Sequence, residues 1–143
     1  MTQTAITETV EKLAKRYGSR NPAVIARDLG IVVVIESLGS IRGYFNSVGR
    51  NRFIHINSDC RNRNLVCAHE LGHAVLHPDA STHFMRKHTL YSIDRYEKEA
   101  TYFAACLLIS DDDLCEYSHY TYEQLGKVFG VGEAVAKIRA EGI

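Results

Sequence analysis

Residues 68–77 read AHELGHAVLH, and the HExxH pattern within them sets two histidines four positions apart. Four residues of α-helix make slightly more than one turn and rise about 6 Å, so His69 and His73 are expected on one face. Two imidazoles in this arrangement can bind one zinc ion, and Glu70 can then reach a water on that ion without being a ligand. The surrounding small and apolar residues, with no proline before Pro78, favour a buried helix. The alternative is a core helix whose histidines bind nothing.

A catalytic zinc site normally has three protein ligands and one position for water, so a third ligand is needed. His77 lies two turns beyond His69, about 12 Å away by helical rise, and three ligands along one axis cannot converge on one ion. Asp79 is a second candidate, but a ligand there needs a glycine turn where this chain has Leu76. The sequence therefore favours a ligand from a second helix.

The second helix is predicted over residues 94–109, with Asp94 as its N-cap and alanine and leucine at helical spacing. Its two glutamates, Glu97 and Glu99, are about 200° apart around the helix axis, so only one can point at a metal. Glu97 shares a face with Thr101 and small residues, which favours it, and Glu99 is the alternative third ligand. Both glutamates can also be ordinary solvated charges of the first turn, where the helix dipole favours acids.

These segments together resemble the ImmA/IrrE family of zinc metallopeptidases. The two-helix combination is more specific than HExxH alone, and the similarity extends over residues 20–115. The segments that carry it are HELGH at 69–73, YEKEATYFAA at 96–105 and LLI at 107–109, with RGYF at 42–45 and RFIHINS at 52–58.

The resemblance implies one zinc ion per chain, held by His69, His73 and Glu97. Glu70 is then the catalytic base. The family pattern E-x-x-A-N-x-F-A has its ligand at the glutamate, and Thr101 occupies the position of the asparagine. A hydroxyl can still accept a hydrogen bond from an imidazole N–H, although its reach is shorter than that of an amide. We therefore expect Thr101 to orient a zinc-binding histidine.

The composition excludes several classes of protein. Among 143 residues, 17 basic and 17 acidic side chains leave no net charge, so the positive field typical of nucleic-acid binding is absent. No apolar run approaches the ~20 residues of a membrane span, and the N-terminus lacks the pattern of a signal peptide. We expect a cytoplasmic protein with a single domain over 1–143. We also expect reduced thiols without a metal role at Cys60, Cys67, Cys106 and Cys115.

The predicted fold is α+β and zincin-like, with a small, mostly antiparallel sheet packed against the HExxH helix and the second ligand-bearing helix. The β-branched run 31–35 predicts a buried strand, and segments 41–46 and 52–57 predict a hairpin. Additional helices are predicted before Gly18 and Gly30. A C-terminal helix pair has the outline of a helix-turn-helix, and without a basic face it favours scaffolding or partner docking over DNA contact.

The ligand set predicts a zinc-dependent endopeptidase in which Glu70 accepts a proton from a zinc-activated water and returns it to the leaving amine. The family resemblance implies one specific target, typically a helix-turn-helix repressor of a phage or mobile element, whose cleavage would release transcription. The hairpin is expected to hold the substrate in extended form. Candidates for stabilising the oxyanion are His83, His88 and Tyr91. All three can equally well be solvated loop residues without a catalytic role.

An interaction module of a different class is the alternative. Such a protein would be stabilised by zinc and would bind a repressor or another partner without cleaving it. Glu70 distinguishes the two hypotheses, because a purely structural zinc site needs no base beside its ligands.

Overall fold

Two helices precede three strands, and further helices follow the strands. The computed structural model describes residues 1–78 and 90–143, with side chains described outside 90–93. Within these ranges the elements are α1 (Gln3–Tyr17), α2 (Pro22–Asp28), β1 (Ile31–Glu36), β2 (Gly43–Val48), β3 (Asn51–Asn57), α3 (Arg63–Leu76), α4 (Leu90–Leu108), α5 (Asp111–Glu116), α6 (Tyr122–Phe129) and α7 (Glu133–Glu141).

Helix α1 ends and helix α2 begins at the predicted signals, whereas α2 ends at Asp28, two residues before the predicted Gly30. Helix α1 ends at Gly18, which adopts a left-handed conformation with φ 62° and donates its N–H to the carbonyl of Ala14. In α2 the side chain of Asn21 accepts from the N–H groups of Ala23 and Val24, and Pro22 occupies the first turn. Local sequence therefore determines both boundaries.

The sheet has the strand order β1-β3-β2 and is mixed. Strands β2 and β3 form the predicted antiparallel hairpin, with Gly43 opposite Ile56. Strand β1 pairs in parallel with β3, with Ile31 opposite Arg52. The sequence predicts a mostly antiparallel sheet, but the sheet has one antiparallel and one parallel pairing. The parallel pairing arises because β1 lies next to β3, which runs in the same direction, and not next to β2.

The prediction of a buried strand at 31–35 is wrong for most of β1. Ile31 is 2% exposed, whereas Val32 is 49% and Ile35 is 55% exposed. Val32 and Ile35 are three positions apart and so point to opposite faces of the sheet, which means that neither face of this outer strand is fully covered. The β-branched run therefore reflects strand propensity more than burial.

Helix α3 is the centre of the main core. It packs against the sheet on one side and most extensively against α4 on the other. Phe45 and Ile54 of the sheet, Leu71 of α3 and Phe103 of α4 are fully buried together. An ideal Cβ at Gly72 would lie 3.1 Å from the carbonyl oxygen of Ala100, so the absence of a side chain lets the two helices approach closely.

Helix α4 begins earlier than predicted, at Leu90 rather than after Asp94. Asp94 lies inside the helix, and its Oδ2 is 3.4 Å from Nζ of Lys98 one turn later. An early acid followed four residues later by a lysine is a helix-stabilising pair as well as a possible cap signal. The sequence alone does not separate these two uses.

The C-terminal helices α6 and α7 form a smaller cluster that packs beside the main core. Its buried members include Ile109 at the end of α4 and Leu125 of α6. The guanidinium of Arg139 joins α7 to the body by donating to the carbonyl of Ile109 and to Asp111, both at 2.6 Å. This helix pair is as predicted. None of the helices within 1–78 and 90–143 has the length and apolar character needed to cross a bilayer.

Gly43 provides a test of the packing between sheet and α3. A Cβ at this position would lie 2.6 Å from the carbonyl oxygen of His55 and 2.7 Å from Cγ1 of Val66. Because the first neighbour is backbone, we expect Gly43→Ala to lower the free energy of unfolding by about 1–3 kcal/mol, measured by urea denaturation. Ser47→Ala, at an exposed position of the same strand, is the control. Equal stability of Gly43→Ala and the wild type would contradict this packing.

Candidate metal centre

Three side chains from α3 and α4 converge on one point. Nε2 of His69 and Nε2 of His73 are 3.2 Å apart. The carboxylate of Glu97 reaches both rings, with Oε2 2.8 Å from His69 Nε2 and Oε1 3.1 Å from His73 Nε2. Ligands about 2.0–2.1 Å from a tetrahedral zinc ion lie roughly 3.3 Å from one another, so this donor set fits such an ion after a small expansion. The structure thus brings together the three predicted ligands.

The surroundings favour the protonation states that a metal requires. Burial lowers the pKa of His73, and the hydrogen bond and charge of Glu97 offset this only in part. Burial acts to raise the pKa of Glu97, but hydrogen bonds with His69 and His73 outweigh it and hold this pKa well below its ordinary value. Near pH 7 a neutral imidazole therefore faces an ionised carboxylate, as metal binding needs.

Glu70 lies beside the donor cluster, and its side chain is almost completely buried at 1% exposure. The potential ligand atoms of His69, Glu70 and His73 all lie within 4.8 Å of one another. A cleft of about 240 Å³ opens next to them, between the start of β2, α3, α4 and α7. Besides His69 and Glu70, the residues that line this cleft are Arg42, Gly43, Asn62, Leu65, Val66, Glu97, Thr101 and Val135.

Thr101 lies one turn after Glu97 on α4, next to the first histidine. Its Oγ1 is 3.2 Å from Nδ1 of His69, on the side of the ring opposite the donor cluster. A hydroxyl that accepts from Nδ1–H leaves the lone pair on Nε2. The contact expected for Thr101 is therefore present.

Glu99 does not join the three donors. Its Oε2 is 2.9 Å from Nε2 of His77, one helical turn beyond His73. The sequence allows two interpretations of Glu99, a metal ligand or a solvated charge of the first turn. The second interpretation is wrong, because only 5% of the Glu99 side chain is exposed. The i+4 spacing of His77 from His73 indicates that these two rings are neighbours, but no sequence pattern pairs His77 with Glu99.

The remaining predicted residues are the four cysteines and several positions between the two helices of the cluster. All four cysteines fall within the described residues and are free thiols. Burial, followed by the charge of Glu70, raises the pKa of Cys67 to about 12, so this thiol stays protonated at neutral pH. A protonated thiol is a poor metal ligand. Asp79, His83 and His88 and the side chain of Tyr91 lie outside the described residues.

Comparison with known proteins indicates a relationship over nearly the whole chain. Residues 26–141 match the peptidase family model described as the IrrE N-terminal-like domain. The chain is 38% identical over 141 residues to uncharacterized immunity region protein 2 of Bacillus phage phi105, covering 95% of this chain and 89% of that protein. It is 28% identical over 148 residues to metallopeptidase ImmA of Bacillus subtilis strain 168, covering 99% and 88%. The matched span includes both helices of the donor cluster.

Replacing Glu97 tests the donor set directly. We expect Glu97→Ala to lose most of its zinc, because two imidazoles alone bind the ion weakly and leave its geometry undefined. Elemental analysis after purification in zinc measures the ratio of metal to chain. Lys98→Ala, at the next and exposed position, is the control and should keep about one zinc per chain. Full zinc content in Glu97→Ala, with loss confined to Glu99→Ala, would reverse the assignment of the two glutamates.

Proposed function

This chain belongs to the ImmA/IrrE family of metallopeptidases, and we propose that it is a zinc-dependent endopeptidase that cleaves one specific protein. The observation that carries the proposal is the convergence of His69, His73 and Glu97 within 3.2 Å, next to the buried carboxylate of Glu70. Two imidazoles and one carboxylate form the ligand set of a catalytic zinc rather than of a closed structural site.

In the proposed mechanism His69, His73 and Glu97 would hold the ion, which would supply Lewis acidity to the scissile carbonyl and to a water. Glu70 would accept a proton from the attacking water as the water oxygen bonds to the carbonyl carbon. Glu70 then donates the same proton to the amide nitrogen as the C–N bond breaks, which returns the carboxylate to its starting state.

We assign Thr101 to the orientation of His69. Its hydroxyl oxygen, 3.2 Å from Nδ1, would accept a hydrogen bond from Nδ1–H and so leave the Nε2 lone pair for the metal. The same contact restricts rotation of the ring about Cβ–Cγ. Thr101 thereby takes the role that the resemblance gives to an asparagine amide.

The substrate segment would lie along the cleft in extended form, next to the start of β2. This assignment is supported by the position of Arg42 and Gly43, which line the cleft together with Glu70. Strand β2 is an outer strand of the described sheet, and extended segments commonly bind along such strands. Leu65 and Val135 make another part of the cleft apolar, which suits an aliphatic side chain.

The target we propose is a helix-turn-helix repressor of a phage or mobile element in the cytoplasm, so that its cleavage derepresses transcription. The family resemblance implies this class of target, and one relative is named as an immunity region protein. The absence of net charge supports a protein rather than nucleic acid as the direct partner.

Glu70→Gln separates peptide hydrolysis from binding. The amide keeps the volume of the carboxylate but cannot act as the base, so we expect zinc to remain bound and cleavage to fall by about 10²–10⁴-fold. The assay incubates the full chain with the repressor encoded beside its own gene, with and without a chelator, and follows the products by gel and mass spectrometry. Glu123→Gln, at an exposed position on α6, is the control.

Two outcomes decide against parts of this proposal. Cleavage by Glu70→Gln at the wild-type rate would exclude Glu70 as the base. Stable binding of the repressor by both zinc-loaded proteins, with no product from either, would instead favour the interaction module.

A further inference from the structure

A second buried polar pair lies behind the donor cluster and has no role in the mechanism above. His77 is 8% exposed and Glu99 is 4% exposed, although both carry polar groups that normally face water. The carboxylate of Glu99 accepts from His77 Nε2 at 2.9 Å, from the Met1 amino group at 2.9 Å and from Arg95 Nε at 3.2 Å. A buried carboxylate with this many donors is held in one position and in its ionised form.

The pair is connected to the donor cluster through His73. Nδ1 of His77 is 3.4 Å from Nδ1 of His73, and the ring centroids are 5.5 Å apart. The ring of Tyr96 also packs against His77, with 4.1 Å between the two ring centroids. A continuous series of polar contacts therefore runs from Glu99 through His77 to His73, and Nε2 of His73 lies among the three donors.

The chemistry of these groups orders the protons along the series. An ionised carboxylate can only accept, so the proton of a neutral His77 lies on Nε2 and its Nδ1 carries a lone pair. That lone pair can accept from His73 Nδ1–H, whereas the Glu97 carboxylate, 3.1 Å from His73 Nε2, favours a proton on Nε2 as long as no metal is bound. When a cation takes the place of that proton between Nε2 and Glu97, the His77 contact holds the His73 proton on Nδ1, which is the tautomer that a metal ligand needs.

We infer that His77 and Glu99 are positioning residues, which fix the tautomer and the orientation of His73 for metal binding. The inference rests on the metal site of the proposed function and extends it. Thr101 serves His69 through the corresponding Nδ1 contact, so each imidazole of the cluster has one nitrogen held by a second protein group. The Glu99 carboxylate acts at a distance, through the intervening ring of His77.

Two substitutions of His77 separate this role from simple packing. His77→Phe keeps the ring volume and the contact with Tyr96 but removes both nitrogens. His77→Gln disturbs the packing, yet its amide oxygen can accept from His73 Nδ1–H while its amide nitrogen donates to Glu99. If the role is positioning, Gln is the better replacement, whereas a packing role alone makes Phe the better one.

The first measurement is zinc affinity, determined by competition with a chromogenic chelator. We expect His77→Phe to weaken zinc binding by about 10–100-fold and His77→Gln to restore most of it. Arg95→Ala is the matched control, because it removes an exposed partner of Glu99 but leaves the contact between Glu99 and His77. It should bind zinc as the wild type does. Circular dichroism verifies that each variant is folded. If His77→Phe does not fold, Glu99→Gln takes its place in the zinc-affinity measurement.

The second measurement is the ¹H–¹⁵N NMR spectrum of the imidazoles in the zinc-loaded wild type. We expect a His73 Nδ1–H signal that exchanges slowly with water, because His77 accepts this proton. The absence of that signal, or wild-type zinc affinity in His77→Phe, would overturn the inference. Neither measurement uses a substrate, so a failure here leaves the cleavage assay unaffected. A wild-type chain that binds no zinc would instead refute the proposed function.

Discussion

The contact of one carboxylate on α4 with two imidazoles on α3 is the constraint on which the rest of the structure depends. Glu97 bonds both His69 and His73, although 28 and 24 residues separate it from them. This contact requires close packing of the two helices, which the missing side chain of Gly72 allows. The sheet on the far side of α3 and the fully buried Phe103 on α4 then fix the spacing of the helices. Core packing thus brings together polar groups from distant parts of the sequence.

The donor cluster is organised in successive layers around a common point. The inner atoms are two imidazole nitrogens and a carboxylate, which a cation would hold together by neutralising their converging lone pairs. Behind each ring lies a second group, the hydroxyl of Thr101 or the ring of His77. Glu70 lies at the edge of the cluster, beside the cleft. In the proposed function, binding, orientation and proton transfer therefore fall to different residues, all of which lie on α3, on α4 or directly after α3.

The sequence predicts those features that local rules determine. The helical register of His69, Glu70 and His73 follows from their spacing, and the α2 boundary follows from Asn21 and Pro22. The features it misses depend on packing between distant segments. Exposure of Val32 depends on which parts of the sheet other elements cover, and burial of Glu99 depends on its contact with His77 at the end of α3. A propensity or a periodicity contains no information on either.

The most direct test of the central claim is zinc K-edge X-ray absorption on the zinc-loaded full chain. The account predicts nitrogen and oxygen neighbours at about 2.0–2.1 Å, with the multiple-scattering signature of two imidazole rings. A sulfur neighbour at about 2.3 Å would indicate that a cysteine binds the ion. That result, or scattering from fewer than two imidazoles, would contradict a metal site made by His69, His73 and Glu97.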